Sequence, residues 1–357
     1  MGKNILLIDK LNKTKELSKE EFISLFETFN DEDIEYARSL ACKIRDEWYG
    51  KNIFLRGLIE ISNFCKNDCL YCGIRRSNSN AERYRLSKEN ILECCAKGYS
   101  LGYRTFVLQG GEDLYYTDDI LCDIISSIKE HYPDVAVTLS IGEKTYQQYK
   151  KYFEAGADRY LLRHETANES HYYKLHPNSM SFKNRIECLY NLKKIGYQVG
   201  TGFMVESPFQ TPKTLAEDFI FIKELQPDMV GIGPYIVHHS TPFANEQSGT
   251  ARTTLFLLAL LRIMIPNVLL PATTSLGTID PNGQINGFLS GANVMMPNLS
   301  PAKVRKKYLL YDNKLCSGNE AAEFKASLVK NLKEYGFRVL DSRGDVAKYP
   351  FVDCLPK

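Results

Sequence analysis

Long apolar runs are missing from this sequence. No stretch approaches the ~18–20 residues that a membrane-spanning helix needs. An excess of either charge is missing too. Lys and Arg total 45 against 43 Asp and Glu, so neither nucleic acid nor an anionic membrane is an expected partner. The opening Met1–Asp9 stretch is too short and too soon charged for a signal peptide. Residue 6 is Leu, where a myristoylation site needs Ser or Thr. Low-complexity tracts and internal repeats are absent. The ten cysteines include no second C-x2-C pair, and a secreted disulfide framework does not suit so long a chain without a leader. A cytoplasmic, reducing setting is expected, with most cysteines acting as small buried hydrophobes.

What is present is an alternation. Residues 1–15 carry no clear period and read as a loose arm. Ser18 followed by Glu21 is a capping box, and Phe22, Leu25 and Phe26 begin a helical stripe. Ile34, Ala37, Leu40, Ala41, Ile44 and Trp48 continue it, so residues 1–50 form a helical N-terminal extension. Extended runs then recur at 53–61, 105–109, 135–140, 159–163, 198–205, 229–233, 268–272 and 293–296, with helical patterns between. Most runs are apolar throughout, as parallel strands buried on both faces require. Eight such units over about 245 residues predict an α/β fold, a (β/α)8 TIM-type barrel over 51–300. An open doubly wound sheet shares the alternation, and periodicity does not separate the two. Residues 301–357 read as a small C-terminal cap, too small for a core of its own.

Barrel chemistry sits at the carboxyl ends of the strands. The first run leads into Cys65-Lys-Asn-Asp-Cys69-Leu-Tyr-Cys72-Gly73. Structural zinc wants four closed ligands. Three thiolates instead hold three irons of a cubane 4Fe–4S cluster and leave the fourth iron open. The C-x3-C-x2-C spacing resembles the signature of radical S-adenosylmethionine (SAM) enzymes. Tyr71, just before the third cysteine, is placed to shield such a cluster. The second run ends in Gln109-Gly110-Gly111-Glu112-Asp113, where glycines let the backbone approach a ligand closely. Thr138 and Ser140 end the third. In the fourth, alternation puts Arg159, Leu161, Arg163 and Glu165 on one face. Arginines inside a barrel need anionic partners, internal or bound. Thr273 and Thr274, with Arg56 on the first strand, make a further anion site if they converge. His238 and His239 are adjacent, and adjacent side chains usually diverge, so a chelate is not expected.

These segments, with Arg159-Tyr-Leu-Leu-Arg-His-Glu-Thr-Ala-Asn168, Gly231-Ile-Gly-Pro-Tyr, Pro271-Ala-Thr-Thr and Ala292-Asn-Val-Met-Met-Pro-Asn298, together resemble HydE. That is the family of radical SAM maturases of FeFe-hydrogenase, within the biotin synthase-like enzymes. The resemblance covers residues 16–340. It implies a complete (β/α)8 barrel, one 4Fe–4S cluster on Cys65, Cys69 and Cys72, and SAM as second cofactor. SAM is expected near Gln109, Gly110, Glu165 and Arg185, with Tyr71, Gly111 and Thr138 completing that set. An anion-binding floor is expected from Arg56, Arg159, Arg163, Thr273, Thr274 and Tyr308. The resemblance further implies an Fe(CO)2(CN)–cysteine precursor as substrate, the maturases HydG and HydF as partners, and a ferredoxin or flavodoxin as electron donor. A methylornithine synthase-like or biotin synthase-like enzyme acting on a small molecule is the alternative. Two departures from the family stand out. A second-cluster motif, C-x7-C-x2-C, is reduced to Cys316, with Phe324 and Ser327 in the other places. The loop often written Gly-x-Pro-Gly-Gln-Thr is Glu206-Ser-Pro-Phe-Gln-Thr211, which puts its geometry in doubt.

Overall fold

Three helices precede the first strand in the computed structural model, which describes residues 2–315 and 321–351. They are α1 (Lys3–Thr14), α2 (Lys19–Thr28) and α3 (Asp31–Tyr49). The capping box at Ser18 and Glu21 is formed, and Asn30 with Asp33 makes a second one for α3. The first helix corrects the expected loose arm. Its buried face is only Asn4, Ile8 and Leu11, too narrow to show a period. Neighbouring helices hold it, not local propensity.

The barrel follows. β1 (Asn52–Leu55) and β2 (Gly57–Ser62) are one strand interrupted at Arg56. Then come α4 (Lys88–Ser100), β3 (Thr105–Gly110), α5 (Asp118–His131), β4 (Ala136–Ser140), α6 (Tyr146–Glu154) and β5 (Arg159–Leu161). The next stretch holds α7 (Glu169–Leu175), α8 (Phe182–Ile195), β6 (Gln198–Thr201), β7 (Met204–Val205), α9 (Pro212–Leu225) and β8 (Met229–Val230). After β9 (Gly233–Pro234) come α10 (Ala251–Met264), α11 (Thr274–Ile279), α12 (Gly283–Phe288) and β10 (Val294–Met295). The chain ends with α13 (Ala302–Arg305), α14 (Ala321–Glu334) and β11 (Arg338–Leu340).

Every strand pair is parallel, in the order β2-β3-β4-β5-β6-β8. Bridges from Met229 to Leu269 and from Pro271 to Val294 carry the ring onward, and β10 pairs with β1. The ring therefore closes, which excludes the open doubly wound sheet. At its lower end β1 also pairs with β11, which takes the place β3 takes beside β2.

The outer layer is built on aromatic and aliphatic faces. Phe22 and Phe26 of α2 meet Phe219 of α9 at 5.3 and 5.2 Å. Burying each such ring stabilises by ~1.5–3 kcal/mol. From Thr254 to Met264, α10 is buried on all sides, between the barrel and α3. No helix among the described residues is long and apolar enough to cross a membrane. The segment after β11 plugs the strand starts: the Thr105 hydroxyl donates to the Arg343 carbonyl at 2.7 Å, and Asp345 pairs with Arg159 at 2.5 Å.

Candidate functional site

The cysteine loop is folded around two charged side chains. Asp68 accepts from Arg75 Nε at 2.7 Å and from the Ser77 amide at 3.1 Å. Burial opposes it, but Ser77 and Arg75 hold the Asp68 carboxyl down to about 2. The Arg83 guanidinium donates to the carbonyls of Asn63, Ile74, Arg75 and Asn78. The loop is also tied to the next strand end, where the Lys66 amide donates to Glu112 O at 3.0 Å. Gly111 makes that approach feasible. A Cβ there would lie 2.2 Å from the Phe64 carbonyl oxygen and 2.8 Å from Cys65 Cβ.

Cys65, Cys69 and Cys72 border one cavity of about 360 Å³ at the carboxyl ends of the strands. All three are free thiols. Burial pushes each of them up, Cys72 to about 12, and the neighbouring thiols add to the shift at Cys69 and Cys72. Three thiolates crowded in low dielectric repel one another, and a multivalent cationic centre removes that penalty. The donor set therefore fits an iron–sulfur cluster. Tyr71 also lines the cavity, and its hydroxyl lies 3.3 Å from His176 Nε2. Burial lowers His176 to about 3. The ring is therefore neutral, with Nδ1 donating to the Tyr172 carbonyl at 3.0 Å.

The same cavity brings together Gln109, Gly110, Gly111, Arg163, Glu165, Arg185, Thr273, Thr274 and Tyr308. Arg185 is held by Glu143 at 2.5 Å and donates to the Arg163 carbonyl at 2.8 Å. Arg163 Nε and Nη2 and Glu165 Oε2 are buried without a hydrogen-bond partner. Arg163 and Glu165 approach only to 3.7 Å. Unsatisfied charged atoms on a cavity wall call for a ligand.

Arg56, Arg159 and Thr138, expected in the SAM cradle and the cavity floor, do not border this cavity. They line a separate pocket of about 10 Å³ at the strand starts. Leu161 and Met229 border both spaces, which are therefore adjacent. Arg159 is satisfied by Asp345, Thr105, Gln198 and the Arg343 carbonyl. Arg56 is not: its Nε has no partner, and its other contacts are Met229 Sδ at 3.0 Å and Gly344 O at 3.4 Å.

Several cavity groups escaped the sequence reading. Glu60 accepts from Lys314, which also donates to the Tyr308 carbonyl, and from Asn298 at 2.8 Å. Glu60 shares its strand face with Arg56, and that parity was the available signal. Glu112 is held by Lys66 at 3.0 Å and by the Glu143 amide at 3.0 Å. His238 and His239 do not diverge. Their rings stack at 4.6 Å, and with Asp312 they place three potential ligand atoms within 4.8 Å of one another. The Ser240 amide donates to His238 Nδ1 at 3.0 Å. This leaves the ring proton on Nε2, the atom a cation would need. In the altered loop Glu206 and Phe209 adopt φ of 56° and 65°, the left-handed region that glycine favours. Glu206 also meets the start of α10, accepting from Thr253 Oγ1 at 2.6 Å. Cys316, the remnant of the second-cluster motif, lies outside the described residues.

Residues 59–222 match the Radical SAM superfamily. The chain is 46% identical to the [FeFe] hydrogenase maturase subunit HydE of Thermotoga maritima, over 87% of this chain and 88% of that one. The chain belongs to the HydE family of radical SAM enzymes. A 3-methylornithine synthase of Methanosarcina acetivorans is 27% identical over 92% of each chain. Among solved structures, methylornithine synthase (PylB) superposes with a TM-score of 0.81 at 26% identity, covering 93% of this chain and 97% of that one. HydG, at 19% identity and a TM-score of 0.79 over 94% of this chain and 76% of that one, shares the fold. The HydE family and the (β/α)8 barrel are therefore the ones the motifs implied, and the chain is a radical SAM enzyme.

Proposed function

We propose that the chain carries one 4Fe–4S cluster on Cys65, Cys69 and Cys72. It binds SAM against Gln109, Gly110, Gly111, Glu165 and Arg185, and acts in maturation of the di-iron subcluster of FeFe-hydrogenase. When bound, the cluster supplies the electron that splits SAM into methionine and a 5′-deoxyadenosyl radical. The protein's own part is placement. The Arg83 and Asp68 contacts fix the thiol loop, and Tyr71, held by neutral His176, covers one side of it. Arg163 anchors an anionic group of the small molecule, with Thr273, Thr274 and Tyr308 as hydroxyl donors. The substrate is an Fe(CO)2(CN)–cysteine type complex delivered by HydG, its product is passed towards HydF, and a ferredoxin or flavodoxin supplies electrons. The observation that carries this reading is the convergence on one cavity of three free thiols and of Arg163 and Glu165 atoms that lack a hydrogen bond.

Anaerobic reconstitution tests it. Iron should reach about four per chain, and SAM should yield 5′-deoxyadenosine. Cys69→Ser should abolish that product. Iron near eight per chain contradicts the single cluster. Co-expression of an apo-hydrogenase with the other maturases, with and without this protein, tests the pathway. No rescue of hydrogenase activity, combined with formation of a methylated amino acid, favours the methylornithine synthase alternative.

A further inference from the structure

Arg163 and Glu165 face the cavity, and the residue between them faces the other way. His164 is fully buried behind the barrel wall, against the Phe203 ring at 5.8 Å and the Phe221 ring at 4.9 Å. Its Nδ1 lies 2.9 Å from Thr201 Oγ1, and its Nε2 lies 3.5 Å from Asp218 Oδ1. Thr201 and Asp218 are also fully buried. With the Thr201 hydroxyl donating to Nδ1, the ring proton sits on Nε2, beside the Asp218 carboxylate but without a formed hydrogen bond to it. None of the three borders the cavity, so this hydroxyl–imidazole–carboxylate chain has no access to a reacting atom.

What it does touch is the turn that carries Arg163 and Glu165. Glu165 has φ of 64°, a left-handed conformation that is unfavourable for a residue with a Cβ. Such a conformation persists only where its surroundings over-determine it. Here Asp218 Oδ1 accepts the Ala167 amide at 2.5 Å, Glu217 accepts from Asn168 Nδ2 at 2.6 Å, and the Glu165 amide donates to Gly202 O at 3.1 Å. Helix α9 thus grips both sides of the turn, through His164 before Glu165 and through Ala167 and Asn168 after it.

We infer that Thr201, His164 and Asp218 form a positioning device that presents Arg163 and Glu165 to the cavity and so sets the affinity for SAM. The inference rests on the reading that Glu165 meets SAM. A loosened turn must be re-ordered on binding, and lost preorganisation appears as weaker binding. The test uses full-length, anaerobically reconstituted protein with the cluster reduced. SAM is titrated, and the change it produces in the cluster's electron paramagnetic resonance spectrum is followed. His164→Ala should raise the SAM concentration for half-saturation about tenfold, with iron per chain and the SAM-free spectrum unchanged. Asp218→Asn keeps an acceptor for Ala167 but weakens the grip on His164, and should raise it about threefold. Thr201→Val, close in volume, gives a third reading if His164→Ala fails to fold. A purely structural role lowers the thermal midpoint and leaves half-saturation within twofold of wild type in all soluble variants, and that result overturns the inference. Absence of any SAM-dependent change in the wild type overturns the SAM reading itself.

Discussion

Gly111→Ala tests how the cysteine loop is held. Gly110 and Gly111 are neighbours, yet a methyl group meets different surroundings at each. At Gly110 the nearest atoms would be Ser62 O at 3.2 Å and Ile61 Cγ1 at 3.3 Å, which small adjustments accommodate. At Gly111 the nearest would be the Phe64 carbonyl oxygen at 2.2 Å. That is roughly 1 Å short of van der Waals contact. The obstructing atom is backbone, and the next residue is Cys65, so the movement passes to the first thiol. Gly111 is not among the positive-φ glycines, and the effect is therefore steric and not conformational. Overpacking of this kind destabilises by ~1–3 kcal/mol. A displacement of about 1 Å at a reacting centre lowers the rate about a hundredfold, equivalent to ~2.7 kcal/mol. The assay is the initial rate of 5′-deoxyadenosine formation, normalised to iron content. Gly110→Ala should stay within about threefold of wild type, ~0.7 kcal/mol. A Gly111→Ala protein with full iron and at least half the wild-type rate would refute the reasoning.

Three further outcomes follow from buried titratable groups. Lys314→Met leaves Glu60 fully buried without its cation and should destabilise by about 3 kcal/mol. Burial already raises the Glu60 carboxyl and Lys314 opposes that rise, so in the variant the loss should grow from pH 5 to pH 8 by thermal denaturation. Glu60→Gln combined with Lys314→Met should recover most of it, and failure to do so contradicts a pairwise origin. His176 is held neutral, with its pKa lowered from 6.5 to about 3 by burial first and by Arg185 second. A depressed folded value contributes stability above pH 6.5 that is lost progressively as pH falls towards 3. His176→Phe should flatten that limb in the cluster-free protein, and an unchanged slope would show that the group does not contribute. Asp345→Ala unpairs buried Arg159, but the carboxylate is partly exposed, so a loss of roughly 2 kcal/mol is expected in urea titration. Loss of SAM cleavage in a folded Asp345→Ala protein would contradict the placement of Arg159 outside the cavity.

The barrel was legible because parallel strands buried on both faces read as continuous apolar runs. The helices that escaped, α1, α7, α11 and α13, show why. The last three are only 7, 6 and 4 residues long, shorter than a periodicity needs. The first buries three residues along 12. The thiols were legible because their spacing is local. The arginines were not, because alternation along a strand fixes direction but not depth. Arg159 and Arg163 share a face yet lie four residues apart, about 13 Å along the strand. One belongs to the plug at the strand starts and the other to the cavity. Arg56 and Glu60 repeat the same relation on the first strand, and Thr138 and Ser140 a shorter version of it. All three misplaced residues sit one layer too low for the same geometric reason, and Thr138 is in register with Arg159.

That layering bears on which ligand the cavity suits. Leu161 and Met229 border it on the side of the pocket that holds Arg56 and Arg159. Of the basic side chains that border it, Arg185 is matched by Glu143 and Lys314 by Glu60. Arg163 is the one whose buried nitrogens lack a hydrogen bond. The carboxylates are the more restrictive set. Glu60 is engaged by Lys314 and Asn298, Glu112 by Lys66 and the Glu143 amide, and Glu165 already faces Arg163. An ornithine-type amino acid brings a side-chain ammonium in addition to its α-amino and carboxylate groups. Once SAM engages Glu165, the carboxylates named here offer that second ammonium no free oxygen pair, and burying it unpaired is strongly unfavourable. A compact anionic complex asks only for Arg163 and the hydroxyls of Thr273, Thr274 and Tyr308. The cavity therefore favours the maturase reading over the mutase by what it withholds from a cation as much as by what it offers an anion.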